Sequence, residues 1–381
     1  MEPLTIANEL ASPSAHNVIW GGGMVGTQLC DYFLQNGYNV DFLVDNSNYL
    51  DNAKYRDITI HNAYYLKNVT GIEKYNFIIA SVKSHVIDDI LCDLANYGIK
   101  EDHIYDFRSL PFLLSDYKNS ARTVRRKFGA QVHIVDQCNL NCRGCDHFSP
   151  ISDNHFIDIE KYEQDIRRLL ELFGDDFIEV SLLGGEPLLN PDIEKIVKLT
   201  RDILPKARID IITNGILLKD MPESFWQTSK ECNVVIKPTK YPIKAPYEWA
   251  ENKAKTLGIQ FEYMSSEPVK LLWKEALDIQ GTEDKDCTFD HCGEANACVT
   301  LEDGKIYTCS VAAYVKHFEK YYNIKLKYSH TGGIDIYKAK DAEEIMRFIA
   351  SPTDMCRHCN IMEKTYNNPW GISKKEIEEW T

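Results

Sequence analysis

The residues best suited to chemistry stand near the middle of the chain, at Cys138-Asn139-Leu140-Asn141-Cys142-Arg143-Gly144-Cys145. Three thiols spaced C-x3-C-x2-C follow the apolar run Val132-His133-Ile134-Val135. Thiolates are soft ligands that suit iron–sulfur clusters or zinc. A closed zinc site takes four ligands, and no fourth stands nearby. Three cysteines on a cubane cluster would instead leave one iron open to a substrate or cofactor. Two later segments also end apolar runs. In Leu183-Gly184-Gly185-Glu186-Pro187, the glycines let a ligand approach the backbone, and the Glu186 carboxylate can accept from an ammonium group. In Ile212-Thr213-Asn214-Gly215, Thr213 and Asn214 sit at a strand end.

A second cysteine set lies towards the C-terminus. Cys292 is followed by Gly304 and Cys309, and then by Cys356-Arg357-His358-Cys359. The run 299–307 reads as a hairpin turning at Asp303-Gly304, which would bring its flanks together. Four such thiols can hold a cluster or a zinc ion. Cys287 and Cys298 compete with Cys292 for the first position, although Cys298 enters the hairpin strand and is expected to be buried. Cys30, Cys92 and Cys232 are expected in the core. His147, Lys237 and Tyr241 lie near strand ends where a substrate could sit.

A third feature opens the chain. Gly21-x-Gly23-x-x-Gly26 follows the strand Val18-Ile19-Trp20 and leads into a helix, and Asp45 ends the next strand. This is a dinucleotide fingerprint: helix amides for a pyrophosphate, a carboxylate for a ribose.

The elements that must position these groups alternate as strand and helix, so the fold class is α/β. Residues 1–110 predict a Rossmann-like parallel sheet, with strands at 18–20, 40–44 and 77–80 and helices at 27–36 and 86–97. Residues 111–130 read as a solvated linking helix. Residues 131–284 carry further βα units, the rhythm of a partial (β/α)6 barrel. Residues 285–381 form a small α+β domain around the hairpin.

The cysteine triad, with the later motifs in order, resembles the radical S-adenosylmethionine (SAM) enzymes. The resemblance covers the chain from about Val132 to the C-terminus. It implies that Cys138, Cys142 and Cys145 hold a 4Fe–4S cluster whose open iron takes the amino and carboxylate groups of SAM. It implies that Gly184, Gly185 and Glu186 receive the SAM amino group, and that Thr213 and Asn214 contact its methionine part or ribose. An electron from the cluster then cleaves the sulfonium bond, and the 5′-deoxyadenosyl radical takes hydrogen from a substrate. The chain departs from the family at Gly144, where an aromatic residue usually packs on the adenine, so that contact is expected from elsewhere, for instance Phe148. The set Cys292, Cys309, Cys356 and Cys359 is similar to the twitch module of some radical SAM enzymes. It implies one auxiliary 4Fe–4S cluster, because the additional cysteine run of the longer SPASM form does not follow Cys359. The N-terminal part resembles the nucleotide-sugar-binding domain of sugar acyltransferases. A dinucleotide, a nucleotide-sugar or a docking role without ligand all fit Gly21, Gly23, Gly26 and Asp45.

Twitch-bearing relatives include dehydrogenases of cyclic alcohols. The expected reaction is therefore dehydrogenation or epimerisation of a small polar, carbohydrate-like or nucleotide-sugar substrate, with a flavodoxin- or ferredoxin-type reductant. A ribosomal-peptide maturase is the alternative enzyme, and a non-catalytic iron–sulfur or zinc-binding protein the alternative of another class. Composition narrows the partners. With 43 Lys+Arg against 57 Asp+Glu and a net charge of −14, no nucleic-acid or anionic-membrane partner is expected. Hydrophobic and charged contents of 44% and 26% fit a folded chain. Met1-Glu2-Pro3-Leu4-Thr5 lacks the basic and apolar regions of a secretory signal, so a cytoplasmic location is expected, where the 12 cysteines stay reduced.

Overall fold

Alternating strand residues that are all apolar require cover on both sheet faces, and the N-terminal unit supplies it. The structure is a computed structural model describing residues 10–22, 24–46, 51–81, 84–106, 127–264, 268–274, 276–360 and 365–381. It divides into two units, 1–126 and 127–381. In the first, the elements are β1 (Asn17–Trp20), α1 (Met24–Gln35), β2 (Phe42–Asp45), β3 (Lys54–Tyr55), β4 (Ile58–Asn62), β5 (Asn76–Ile79), α2 (Ser84–Asn96) and β6 (Ile104–Tyr105). Val18 and Trp20 join one core with Ile87, Ile90 and Leu94 of α2, while Ile19 joins another with Leu29 and Phe33 of α1. The sheet order is β3-β4-β2-β1-β5-β6, parallel except for β3, so the order reverses at β1 as in a doubly wound sheet. Cys30 is fully buried as expected. Cys92 is exposed, a correction, because Ile87, Ile90 and Leu94 define the inward stripe of α2 and Cys92 falls off it. The linking helix expected within 111–130 falls mostly outside the described residues, and 128–130 already belong to the next strand.

The second unit runs β7 (Phe128–Val135), α3 (Ile159–Phe173), β8 (Phe177–Gly184), α4 (Ile193–Ile203), β9 (Arg208–Thr213), α5 (Glu223–Glu231), β10 (Val234–Pro238), α6 (Tyr247–Leu257), β11 (Gln260–Phe261) and β12 (Leu271–Lys274). It continues with α7 (Lys285–His291), β13 (Thr300–Glu302), β14 (Lys305–Tyr307), α8 (Ser310–Tyr322), β15 (Gly333–Asp335), α9 (Ala342–Ile349) and β16 (Thr365–Pro369). α3 shows how local sequence builds the frame. Asp158 caps its first turn by accepting from the Glu160 and Lys161 amides, and Tyr162, Ile166, Leu169 and Phe173 form its buried stripe. β7 to β11 are parallel neighbours in sequence order, and β12 pairs with β16 in a separate ribbon.

The expected hairpin forms, turning through Asp303 (φ 46°) and Gly304 (φ 71°), two left-handed residues in succession. Its first strand pairs in parallel with β7, Thr300 opposite Gln131. One sheet, β11-β10-β9-β8-β7-β13-β14-β15, therefore crosses the boundary expected at 284/285, and 127–381 is a single unit.

Candidate active site

Four parallel strands end side by side, and their C-terminal ends carry the residues singled out by spacing. β7 leads into Cys138, β8 ends at Gly184, β9 ends at Thr213, and Tyr241 follows β10. Gly184 has a positive φ of 145°, which L side chains rarely adopt, and a Cβ there would lie 1.9 Å from the Val135 carbonyl oxygen. A Cβ on Gly185 would lie 2.1 Å from the Gln137 carbonyl oxygen. The two glycines thus let the end of β8 close on the chain entering the cysteine loop, as the Gly185 amide does by donating to the Val135 carbonyl at 2.9 Å.

Glu186 is fully buried. Its Oε1 accepts from Thr213 Oγ1 at 2.6 Å and from the Leu188 amide at 3.1 Å, and its Oε2 accepts from the Asn214 amide at 2.8 Å. Burial pushes its pKa up to about 7 against these three donors. Asn214 carries the connection onward. Its Nδ2 donates to Asn139 Oδ1 at 2.7 Å and faces Cys138 Sγ at 3.7 Å. Residues 138, 186, 213 and 214 are therefore one hydrogen-bonded set.

Cys138 raises the proton affinity of Cys142, and both raise that of Cys145, but among the described residues no group of three ligating side chains closes on a single-ion point. Burial, the largest cause, pushes Cys142 up to about 12, Cys138 up, and Cys145 well above the usual thiol range. Even so, N–H donors are aimed at the sulfurs. The Leu140 amide stands 3.4 Å from Cys138 Sγ, and the indole Nε1 of Trp370 stands 3.2 Å from Cys142 Sγ. A neutral thiol is a weak acceptor, whereas metal-bound thiolates are commonly oriented by such donors. The donor set therefore fits a thiolate-bound cluster.

Sequence reasoning missed what surrounds the loop. The segment after β16 runs along it: the Arg143 amide donates to the Gly371 carbonyl at 2.7 Å and the Ser373 amide to the Asn141 carbonyl at 2.8 Å. Trp380 Nε1 donates to the Cys145 carbonyl at 2.8 Å. Phe148, expected as an adenine contact, is instead a core residue: it is fully buried against Phe318 and Trp380. Aromatic surface beside the thiols comes from Tyr241 and Trp370, whose ring centres are 6.2 Å apart. Tyr241 is pushed well above its ordinary range by burial and by the three cysteines. On the other side of the loop, His147 Nδ1 meets His133 Nε2 at 2.5 Å, and His133 stacks on Tyr314 at 3.4 Å. Burial pushes His133 down to about 3.

The strand face opposite the helices is charged. Val180, Leu182, Ile209, Ile211, Val234 and Ile236 face the helix-covered core, so Glu179, Arg208, Asp210 and Lys237 alternate to the other side. Lys237 Nζ lies 3.2 Å from Asp210 Oδ2, and Arg208 Nη2 lies 2.7 Å from Glu262 Oε2.

Two of the C-terminal cysteines pack against another core. Cys309 and Cys359 pack against one cluster with Val311, Met355 and Trp380. The Ala312 amide faces Cys309 Sγ at 3.5 Å. α7 lies along 354–358, joined by Thr288 Oγ1 to the Cys359 carbonyl at 3.3 Å and by Lys285 to Asp354 at 3.2 Å. Cys292 ends α7, and its sulfur accepts from the Glu294 and Ala295 amides, each at 3.4 Å. Cys287 is exposed and Cys298 is buried just before β13.

In the N-terminal unit, Gly21 has φ 135° and its amide donates to the Val44 carbonyl at 2.6 Å. A Cβ on Gly26 would lie 1.7 Å from the Gly21 carbonyl oxygen. Asp45 Oδ2 accepts from the Gly22 amide at 2.6 Å. Gly23 lies outside the described residues.

The strand ends of one parallel sheet thus carry three thiols, a double-glycine turn and a buried glutamate. Residues 132–235 match the Radical SAM superfamily. The matched segment, 132–235, is thus a Radical SAM superfamily domain, and members of that superfamily are enzymes that use a 4Fe–4S cluster and SAM. Curated relatives include the GTP 3′,8-cyclase of Nautilia profundicola, 30% identical over 90 residues, which are 24% of this chain and 28% of the relative. The GTP 3′,8-cyclase of Crocosphaera subtropica is 24% identical over 264 residues, 61% of this chain and 77% of the relative. The chain thus matches under a third of the first relative and about three-quarters of the second. Among solved structures, BtrN in complex with AdoMet and 2-DOIA aligns with a TM-score of 0.37 and 16% identity, over 62% of this chain and 94% of that one. Native anSMEcpe with bound AdoMet aligns at 0.35 and 14%, over 64% and 93%. Among the described residues, no helix is long and apolar enough to cross a membrane.

Proposed function

We propose that Cys138, Cys142 and Cys145 hold the 4Fe–4S cluster, that SAM sits beside Gly184, Gly185, Glu186, Thr213 and Asn214, and that the enzyme takes hydrogen from a small polar substrate of carbohydrate or nucleotide-sugar type. The bound cluster and SAM supply a carbon-centred radical by reductive cleavage of the sulfonium. The chain's part is to position and to exclude water. Glu186 locks the ends of β8 and β9 together through Thr213 and Asn214. Asn214 fixes that pair to the cysteine loop.

The observation that carries the substrate class is the charged inner face, with Lys237 beside Asp210 and Arg208 beside Glu262. Such a lining rewards a substrate rich in hydroxyl or phosphate oxygens and penalises an apolar one. The reaction is a dehydrogenation or epimerisation. Cys292, Cys309, Cys356 and Cys359 would hold an auxiliary 4Fe–4S cluster, which in a dehydrogenation would supply an acceptor for the electron left on the substrate as a proton departs. The amide donors to Cys292 and Cys309 support that set and favour Cys292 as its first member. The N-terminal unit holds a nucleotide or nucleotide-sugar at its glycine turn, and a flavodoxin- or ferredoxin-type protein of the cytoplasm delivers electrons.

A second reading, with a purine nucleoside triphosphate as substrate, is favoured by the similarity to the two GTP 3′,8-cyclases. The test is anaerobic incubation of the reconstituted chain with SAM and dithionite, alone and with UDP-sugars or GTP. The expected result is 5′-deoxyadenosine in every case and a faster release with a UDP-sugar. Stimulation by GTP alone supports the second reading, and no 5′-deoxyadenosine at all contradicts both.

A further inference from the structure

Trp370 stands 228 positions from the cysteine it touches, and its placement is determined by backbone ties. Its own amide donates to the Lys270 carbonyl at 2.9 Å. The next residue, Gly371, accepts from the Arg143 amide at 2.7 Å, and Ile372 forms an antiparallel bridge with Cys142. Two residues on, the Ser373 amide reaches the Asn141 carbonyl. The chain on both sides of Trp370 is thus anchored, and the segment after it is hydrogen-bonded to the cysteine loop. The indole Nε1 donor is delivered to Cys142 Sγ at 3.2 Å. Tyr241 lies beside the indole ring, 6.2 Å between centres. An indole N–H has only donor capacity, so a half-buried one needs an acceptor. Here the acceptor is the sulfur of a proposed cluster ligand.

We propose that Trp370 is a positioning residue that sets the reduction potential of the cluster on Cys138, Cys142 and Cys145 through its N–H···S bond to Cys142. The inference rests on the reading that these cysteines hold the cluster. A reduced cluster carries one more electron than an oxidised one, and part of that charge resides on the thiolate sulfurs. The positive end of the indole N–H dipole stabilises the reduced form more than the oxidised form. Hydrogen bonds to the sulfurs are among the factors that set such potentials. Trp370 therefore raises the potential and eases electron entry from the external donor. It touches neither SAM nor substrate in this account.

The test is EPR-monitored potentiometry of the full chain, reconstituted anaerobically and free of SAM, with and without the indole donor. Trp370→Phe keeps an aromatic ring and removes the N–H. The expected result is a more negative midpoint for the cluster whose signal SAM perturbs. At a fixed ambient potential the reduced-to-oxidised ratio falls about tenfold, which is about 59 mV for a one-electron couple. The midpoint of the auxiliary cluster stays where it was, a selectivity that general loosening of the fold does not produce. If Trp370→Phe fails to hold iron, benzothienylalanine at position 370, with sulfur in place of the indole N–H, carries the same measurement. An unchanged midpoint in a variant with full iron content overturns the inference. Absence of any SAM-perturbed signal in the unsubstituted chain overturns the ligand assignment instead, so the two failures are told apart.

Discussion

Both units use a glycine to press one piece of backbone against another, but they employ the neighbouring carboxylate differently. In the N-terminal unit, Gly26 makes room for the Gly21 carbonyl, and Asp45 bonds the Gly22 amide of the same turn. In the second unit, Gly184 makes room for the Val135 carbonyl, and Glu186 reaches across to Thr213 and Asn214 on the next strand. The first arrangement stiffens one turn. The second joins three strand ends and the first cysteine into one preorganised set. Similar local devices thus stay within one turn in the N-terminal unit and bridge neighbouring strands in the second.

Five experiments probe this contrast. The largest effect is expected from Cys142→Ala, which removes a proposed cluster ligand: 5′-deoxyadenosine formation should disappear, and retained formation would show that the tripod is misassigned.

Next is the pH dependence tied to Glu186. Its folded pKa, about 7, lies above the ordinary 4.5. The folded chain therefore keeps a proton that the unfolded chain releases between those values. This contribution to stability is full below pH 4.5 and is lost as pH rises through 7. It amounts to on the order of 3 kcal/mol. Denaturant unfolding of the SAM-free protein across pH 4.5–8 should show that fall, and Glu186→Gln should flatten it. Parallel curves for the two proteins would place the titration elsewhere.

Third, Gly184→Ala and Gly26→Ala should each cost about 1–3 kcal/mol by overpacking against a carbonyl oxygen. Hydrogen exchange should locate the loss at 128–186 for the first and at 17–45 for the second. A loss spread over both units would erase the distinction drawn above.

Fourth, Cys356→Ala should spare SAM cleavage while lowering substrate turnover, as a relay at the auxiliary set requires. Equal loss of both would indicate a structural role.

The smallest effect is expected from Asp45→Asn. It weakens one bond to the Gly22 amide, by about 0.5–1.5 kcal/mol. A far larger loss in thermal unfolding would mean that Asp45 does more than hold its turn.

Local chemistry was legible in the sequence where a few adjacent residues decide the structure. The cysteine spacing, the glycine turn before Glu186 and the Asp303-Gly304 hairpin each occupy under ten residues, and backbone geometry follows from those residue types. The apolar runs likewise marked most strands to within a few positions. Contacts made at long sequence distance had no such signal. Trp370 and Trp380 reach the cysteine loop from the far end of the chain, and nothing near either residue announces it. The pairing of β13 with β7 was equally silent, because which strand lies beside β7 depends on tertiary packing. Phe148 misled for a related reason. Its proximity to Cys145 in sequence suggested a ligand contact, but its left-handed backbone (φ 54°) turns the chain into the core shared with Phe318. Cys92 misled because an apolar helix face was assigned too broadly.

The central claim is that the loop at 138–145 holds a cluster with one iron open to SAM. The most direct measurement is EPR of the anaerobically reconstituted, reduced full chain before and after addition of SAM, with iron and sulfide analysis of the same sample. The expected result is about eight irons and eight sulfides per chain, for two thiolate-bound clusters, and a SAM-induced change in one signal that Cys142→Ala abolishes. Zinc in place of iron, or a spectrum indifferent to SAM, would contradict it.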